Sequence, residues 1–184
     1  MKLGYLSFSI FLLILLNTSA VIPVQAQNEK LKTPDWYEIE DAVKLNSVKP
    51  RKFLIYVYSD NCGWCRKMEN ETFSSDPVID YINQNFYAVK INSNIKRDIQ
   101  YNNRKFSYVA ADPETGNPAH HEFLLILLQG RMAFPSIAYL DENMVFIEVQ
   151  RGFKSIDPFR KYLAFINENK YLDGLSFDQY INQK

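Results

Sequence analysis

Cysteine is scarce in this chain: two among 184 residues, too few for a framework of several disulfides. Histidine is equally rare. The only two, His120 and His121, are adjacent and far along the chain from the cysteines, so a four-ligand zinc centre is hard to complete. There is no G-x-G-x-x-G and no P-loop pattern, and therefore no implied nucleotide or other cofactor. Charge of neither sign dominates, with 21 Lys and Arg against 21 Asp and Glu. A neutral chain has no general electrostatic reason to bind nucleic acid or an anionic membrane.

What is present is a core. The composition is 47% hydrophobic and 15% aromatic, which suits one well-filled domain and argues against disorder. The N-terminus stands apart from it. Lys2 precedes an almost unbroken apolar run over residues 6–16, and Val24-Gln25-Ala26 offers small residues at cleavage spacing, so residues 1–26 read as a secretory signal peptide. An uncleaved membrane anchor is the alternative. Cleavage leaves residues 27–184 as a single domain with 20 basic and 21 acidic side chains and no stable membrane insertion. A periplasmic or secreted location follows.

The two cysteines stand in Asp60-Asn61-Cys62-Gly63-Trp64-Cys65-Arg66-Lys67-Met68. A buried-strand pattern over residues 53–58 precedes them, and good helix formers follow. A thiol at a helix N-terminus is acidified by free N–H groups and the helix dipole, which singles out Cys62 as the attacking thiol. A two-residue gap lets Cys65 close a disulfide with it. A redox pair, half of a zinc site and a structural staple are the three readings. The loop that such a disulfide closes is so small that little chain entropy is removed, which favours chemistry over stability.

Further along, Thr33-Pro34-Asp35 has the form of a helix start, with Trp36, Ile39, Ala42 and Val43 at helical spacing up to about Val48. Asp76-Pro77 opens another helix, and residues 86–92 read as a second strand, giving a β-α-β unit. Residues 98–109 alternate about Asn102-Asn103 as a small hairpin, and residues 112–118 are turn-rich. A helix is expected from about Ala119 to Gln129, then a hairpin over residues 137–149, then a helix from Ser155 to about Asn169. Leu175, Phe177 and Tyr180 suggest a short docking helix at the end.

This order, with C-x-x-C at the first strand–helix junction and Phe134-Pro135-Ser136 before the hairpin, resembles the thioredoxin superfamily over roughly residues 35–170, and in particular its exported members with a C-G-W-C centre. The resemblance implies an α/β three-layer sandwich with a central mixed sheet, an N-terminal helix and an inserted hairpin and loop. It also implies disulfide exchange with protein substrates through Cys62 and Cys65, and a second redox protein that resets the pair. By the same resemblance Pro135 is cis and leaves the backbone of Phe134 free for an extended substrate. Trp64 stands at the tip of the motif as a substrate-facing surface. A non-catalytic binding module and a thiolate metal carrier are the rival functions.

The sequence departs from the family at one telling place. Ordinary thioredoxins carry a buried acid six residues before the first cysteine, and here that position is Tyr56, a poor base at neutral pH. Lys90 matches the lysine that partners the acid, although a plain solvent-facing strand lysine is as good a reading. Glu69, one turn after Cys65, is a candidate for proton transfer, against the plainer reading of a solvated helix glutamate. The absence of histidine between the cysteines weakens the case for a strong oxidase and favours a reductase.

Overall fold

The computed structural model describes residues 32–182. The expected signal peptide falls outside them. In chain order the elements are β1 (Trp36–Tyr37), α1 (Ile39–Val48), β2 (Lys52–Tyr58), α2 (Gly63–Glu71), α3 (Asp76–Asn85), β3 (Phe86–Asn92), β4 (Ile99–Tyr101), β5 (Arg104–Phe106), β6 (Tyr108–Val109), β7 (His120–His121), α4 (Glu122–Leu127), β8 (Ser136–Leu140), β9 (Phe146–Arg151), α5 (Ile156–Asn167) and α6 (Phe177–Asn182). Among the described residues no helix is long and apolar enough to cross a membrane.

Five strands form one mixed sheet in the order β1-β3-β2-β8-β9, with β1, β3 and β2 parallel and β8 and β9 antiparallel to their neighbours. Strand β2 lies at its centre. Because side chains alternate along a strand, Phe53, Ile55 and Val57 enter one core with α1 and α4, while Leu54 and Tyr56 enter the other with α2, α3 and α5. Burial on both faces explains the unbroken apolar run of β2. The result is the three-layer α/β architecture with helices on both sides of the sheet.

Two elements differ from the sequence expectation. Thr33-Pro34-Asp35 does not open α1: Trp36 and Tyr37 pair in parallel with Ala88 and Val89, and the helix begins at Ile39 with Glu38 at its N-cap. Two aromatic residues favour the pleated edge over the helix once a partner strand is there. The helix expected from Ala119 is likewise shorter, beginning at Glu122, because His120 and His121 pair with Val109 and Tyr108. Its expected deep packing holds for Phe123, Leu124, Leu127 and Leu128, whereas Ile126 is exposed.

The hairpin about Asn102-Asn103 forms over residues 99–106, while Tyr108 and Val109, expected in its second arm, pair instead with His121 and His120. Both asparagines have positive φ, 50° and 60°, which a two-residue hairpin turn requires and asparagine tolerates. The C-terminal residues also dock: Tyr180 of α6 is buried beside Phe165.

Candidate active site

The cysteines lie where the chain leaves the C-terminal end of β2. Cys62 is the N-cap of α2, half-buried and disulfide-bonded to Cys65, with 5.2 Å between their Cα atoms. Cys65 is buried, 1% exposed, and its backbone N–H points at Cys62 Sγ at 3.0 Å. An unpaired N–H in a helix first turn is a favourable neighbour for an anion, so this geometry suits a thiolate at Cys62 once the disulfide opens. The loop is held to the end of β3 by Ser93 N–H donating to Tyr58 O at 2.7 Å and Asn92 Nδ2 donating to Asp60 Oδ1 at 2.7 Å.

The Phe134–Pro135 peptide bond is cis and immediately precedes β8, whose first residue, Ser136, lies opposite Val57 near the end of β2. Pro135 therefore sits at the same end of the sheet as the cysteine loop. A chain of contacts connects the two. Trp64, 60% exposed, packs its ring 5.8 Å from that of Phe153; the neighbouring Gly152 N–H donates to Pro135 O at 2.7 Å. Lys67 Nζ stands 5.5 Å and 5.0 Å from the ring centroids of Trp64 and Phe153, within cation–π range. Gly152 has φ of 80°, a conformation that glycine adopts without cost, and this turn brings Phe153 to the site. Sequence reasoning missed Phe153. Its only signal was the glycine before it, and spacing gives no hint of a residue so far from the cysteines.

Tyr56, Glu69 and Lys90 come together on the buried side of the pair. The Tyr56 side chain is fully buried, and its hydroxyl lies 3.2 Å from Glu69 Oε1 and 3.3 Å from the Cys65 carbonyl oxygen. Lys90 Nζ lies 3.2 Å from the other carboxylate oxygen of Glu69 and 4.6 Å from the Tyr58 ring centroid. Burial, and then the adjacent Glu69 carboxylate, push the Tyr56 phenol far above its ordinary range, so it stays a neutral donor. The plain readings of Lys90 and Glu69 as freely solvated side chains give way to a partly buried ion pair, 26% and 30% exposed. An acid thus reaches this region from helix α2, while the strand position holds the phenol that hydrogen-bonds it.

The histidines are elsewhere. His121 is buried and caps α4: its Nδ1 accepts from Phe123 N–H at 3.2 Å, and its Nε2 lies 3.0 Å from the Arg97 carbonyl oxygen. A carbonyl only accepts, so the proton is on Nε2. Among the described residues no group of three or more His, Cys, Asp or Glu is placed to hold a metal ion.

Comparison with known proteins decides the lineage. The profile of the thioredoxin-like domain matches residues 39–167. The chain belongs to the thioredoxin-like family. Its fold is also that of a thioredoxin-fold protein from Helicobacter pylori, at 19% identity over 73% of this chain and 81% of that one, with a TM-score of 0.54. A thioredoxin from Thermus thermophilus aligns at 16% identity over 73% of this chain and 88% of the other, with a TM-score of 0.52. No curated protein matches. A thioredoxin-like domain with a disulfide-forming C-x-x-C pair at a helix start is equipped for thiol–disulfide exchange.

Proposed function

We propose that this thioredoxin-like protein is an extracytoplasmic thiol–disulfide oxidoreductase that reduces disulfides in protein substrates. The observation that carries the proposal is the asymmetry of the pair: Cys62 is reachable at the helix N-terminus and Cys65 is buried behind it. An accessible thiol attacks; a sheltered one resolves.

In the reduced protein, Cys62 thiolate attacks one sulfur of the substrate disulfide. A new S–S bond joins Cys62 to the substrate, and the other substrate sulfur leaves as a thiolate that takes up a proton. Cys65 then gives up its proton and attacks Cys62 Sγ, which expels the second substrate thiol and forms the Cys62–Cys65 disulfide. Two electrons pass to the substrate. A protein dithiol must return them, since the chain carries no cofactor motif. Glu69, one helical turn after Cys65 and paired with Lys90 and Tyr56, is the group that receives the Cys65 proton, directly or through one water. Trp64 provides a flat surface beside the pair, and the backbone of Phe134 before Pro135 provides hydrogen-bonding groups for an extended substrate.

The apolar N-terminal run and its small-residue site support export. The lack of histidine between the cysteines supports reduction over oxidation. Equilibration of residues 27–184 with glutathione, read by thiol trapping, tests the direction. A potential near about −250 mV is expected, and one near about −120 mV overturns the reductase reading. Cys62→Ser abolishes exchange; retention of the protein's cellular role by that variant would point to a binding module instead.

A further inference from the structure

A second feature opens beside Phe134. A groove of about 520 Å³ runs between the end of β3 and the inserted segment, and Phe134 is part of its wall. Pro118, Leu125 and Met132 supply more apolar surface, and Asn94 and His120 contribute polar edges. None of the lining residues is an Asp, Glu, Lys or Arg. That volume is within the range of preformed ligand pockets, and a charged side chain placed there would lose water without gaining an ionic partner.

The wall contributed by the insertion is built ahead of any ligand. Asp112 and Asn117 form a β-bridge, with Asp112 N–H donating to Asn117 O at 3.0 Å and Gly116 N–H donating to Asp112 O at 2.9 Å. The Asp112 carboxylate accepts from the Glu114 N–H at 2.9 Å and from Thr115 Oγ1 at 2.8 Å. Behind this turn, β6 and β7 pair and His121 caps α4.

An independent observation says what shape of ligand fits. Strand β8 begins only at Ser136, and among the described residues the backbone N–H and C=O groups of Met132 and Phe134 have no hydrogen-bond partner. They form a short strip of unpaired backbone along the groove, the pattern that an added extended chain satisfies. In an extended chain every second side chain points the same way, so a segment lying on this strip directs alternate side chains into the groove.

We propose that the insertion over residues 94–130 makes this groove a specificity subsite for an extended substrate polypeptide, receiving an uncharged apolar side chain close to the substrate's reactive cysteine. The subsite rests on the oxidoreductase reading, because Phe134 joins it to Pro135 and the cysteine pair. Its chemistry is selective in one direction. Leu125, Met132 and Phe134 reward an aliphatic or aromatic side chain, and the missing counter-charges penalise an acidic or basic one.

The test uses synthetic Gly/Ser nonapeptides with one central cysteine capped by the chromogenic thiol 2-nitro-5-thiobenzoate. Leu, Ser or Asp is placed in turn at each position within three residues of that cysteine. The dithiol form of the protein releases the chromophore, and second-order rates are normalised to the all-Gly/Ser peptide for each variant. At one position Leu should react about tenfold faster than Ser, with Asp slowest. Leu125→Asn, and separately Met132→Ser in the exposed loop, should bring that ratio to within about twofold of unity. Equal Leu and Ser rates at every position overturn the subsite while leaving the redox reading intact, as does a ratio that survives in both variants. Failure to release chromophore from any peptide overturns both.

Discussion

Two lysines stand towards opposite ends of the paired central strands, each bound to one glutamate, and they do different work. Lys52 begins β2; it is 1% exposed and its Nζ lies 2.6 Å from Glu142 Oε1 in the turn between β8 and β9. Asn46 Nδ2 donates to the backbone carbonyl of the same Glu142 at 2.8 Å, so that pair fastens α1, β2 and the hairpin together. Lys90, opposite Tyr56 in the β2–β3 ladder, meets Glu69 where both remain partly open to water and a buried hydroxyl bridges towards Cys65. The Glu142 side chain is itself 41% exposed, so openness to water does not separate the two pairs; the Lys52 pair lies at the start of β2, away from the cysteines, whereas the Lys90 pair lies on the side of Cys65. The contrast teaches that location relative to the cysteines, and not the residue pair itself, assigns the role.

The sharpest way to break this contrast is Glu69→Gln. If the carboxylate takes the Cys65 proton, the resolution step should slow by about 10- to 100-fold at neutral pH. The deficit should shrink as pH rises, because hydroxide and solvent then take over the proton transfer from the carboxylate. Rapid mixing of a Cys62 mixed disulfide with a chromogenic thiol, followed across pH, reads this directly. A pH-independent deficit would mean that Glu69 only supports the helix. Glu142→Gln should do the opposite, leaving the resolution rate alone and lowering stability. A buried ammonium without its partner costs about 3–5 kcal/mol when both groups are sealed. Because the Glu142 side chain is 41% exposed, about 1–2 kcal/mol is expected here, read as a lower urea midpoint.

That loss has a pH signature. Burial alone would push the Glu142 carboxyl up; the hydrogen bond and charge of Lys52, with a backbone hydrogen bond, hold it below the ordinary glutamate value of 4.5. A carboxylate lowered on folding stabilises the native state above that value and ceases to do so as pH falls through its folded one. The difference in urea midpoint between wild type and Glu142→Gln should therefore be full at pH 7 and shrink below pH 4.5. A gap that persists in acid would mean that packing, not charge, is what the substitution disturbs.

Local chemistry was readable before the structure, and convergence was not. The C-x-x-C pair, the Asn102-Asn103 turn and the apolar run of β2 are each specified by residues within a few positions of one another. Trp36 has a helical-looking setting in the sequence because its strand partner, Ala88, lies far along the chain, and pairing outweighs that local start. His120 and His121 read as helical in the sequence because nothing near them announces their pairing with Val109 and Tyr108. Tyr56, Glu69 and Lys90 were visible one at a time, as a missing acid, a helix glutamate and a strand lysine. Only the packing of α2 across β2 and β3 makes them a unit. Phe153 and the groove depend on the hairpin and insertion folding back, and spacing along the chain does not encode that.

The smallest expected effect probes whether that unit acts as one. Tyr56→Phe removes the hydroxyl that contacts Glu69 Oε1 and the Cys65 carbonyl while keeping the ring that packs against Phe73 at 4.8 Å. Lys90 still holds the other carboxylate oxygen, and partly exposed Glu69 can recruit water in place of the phenol. Stability should fall by about 1 kcal/mol, the net value of one hydrogen bond. Resolution should slow by only about two- to threefold if Tyr56 orients the carboxylate without itself receiving the proton. The decisive measurement is the double variant. If Tyr56 acts through Glu69, then Tyr56→Phe added to Glu69→Gln should slow resolution no further, giving a coupling close to the whole Tyr56 effect. Independent, multiplicative losses would separate the phenol from the carboxylate and leave the hydroxyl's contact with the Cys65 carbonyl as its contribution.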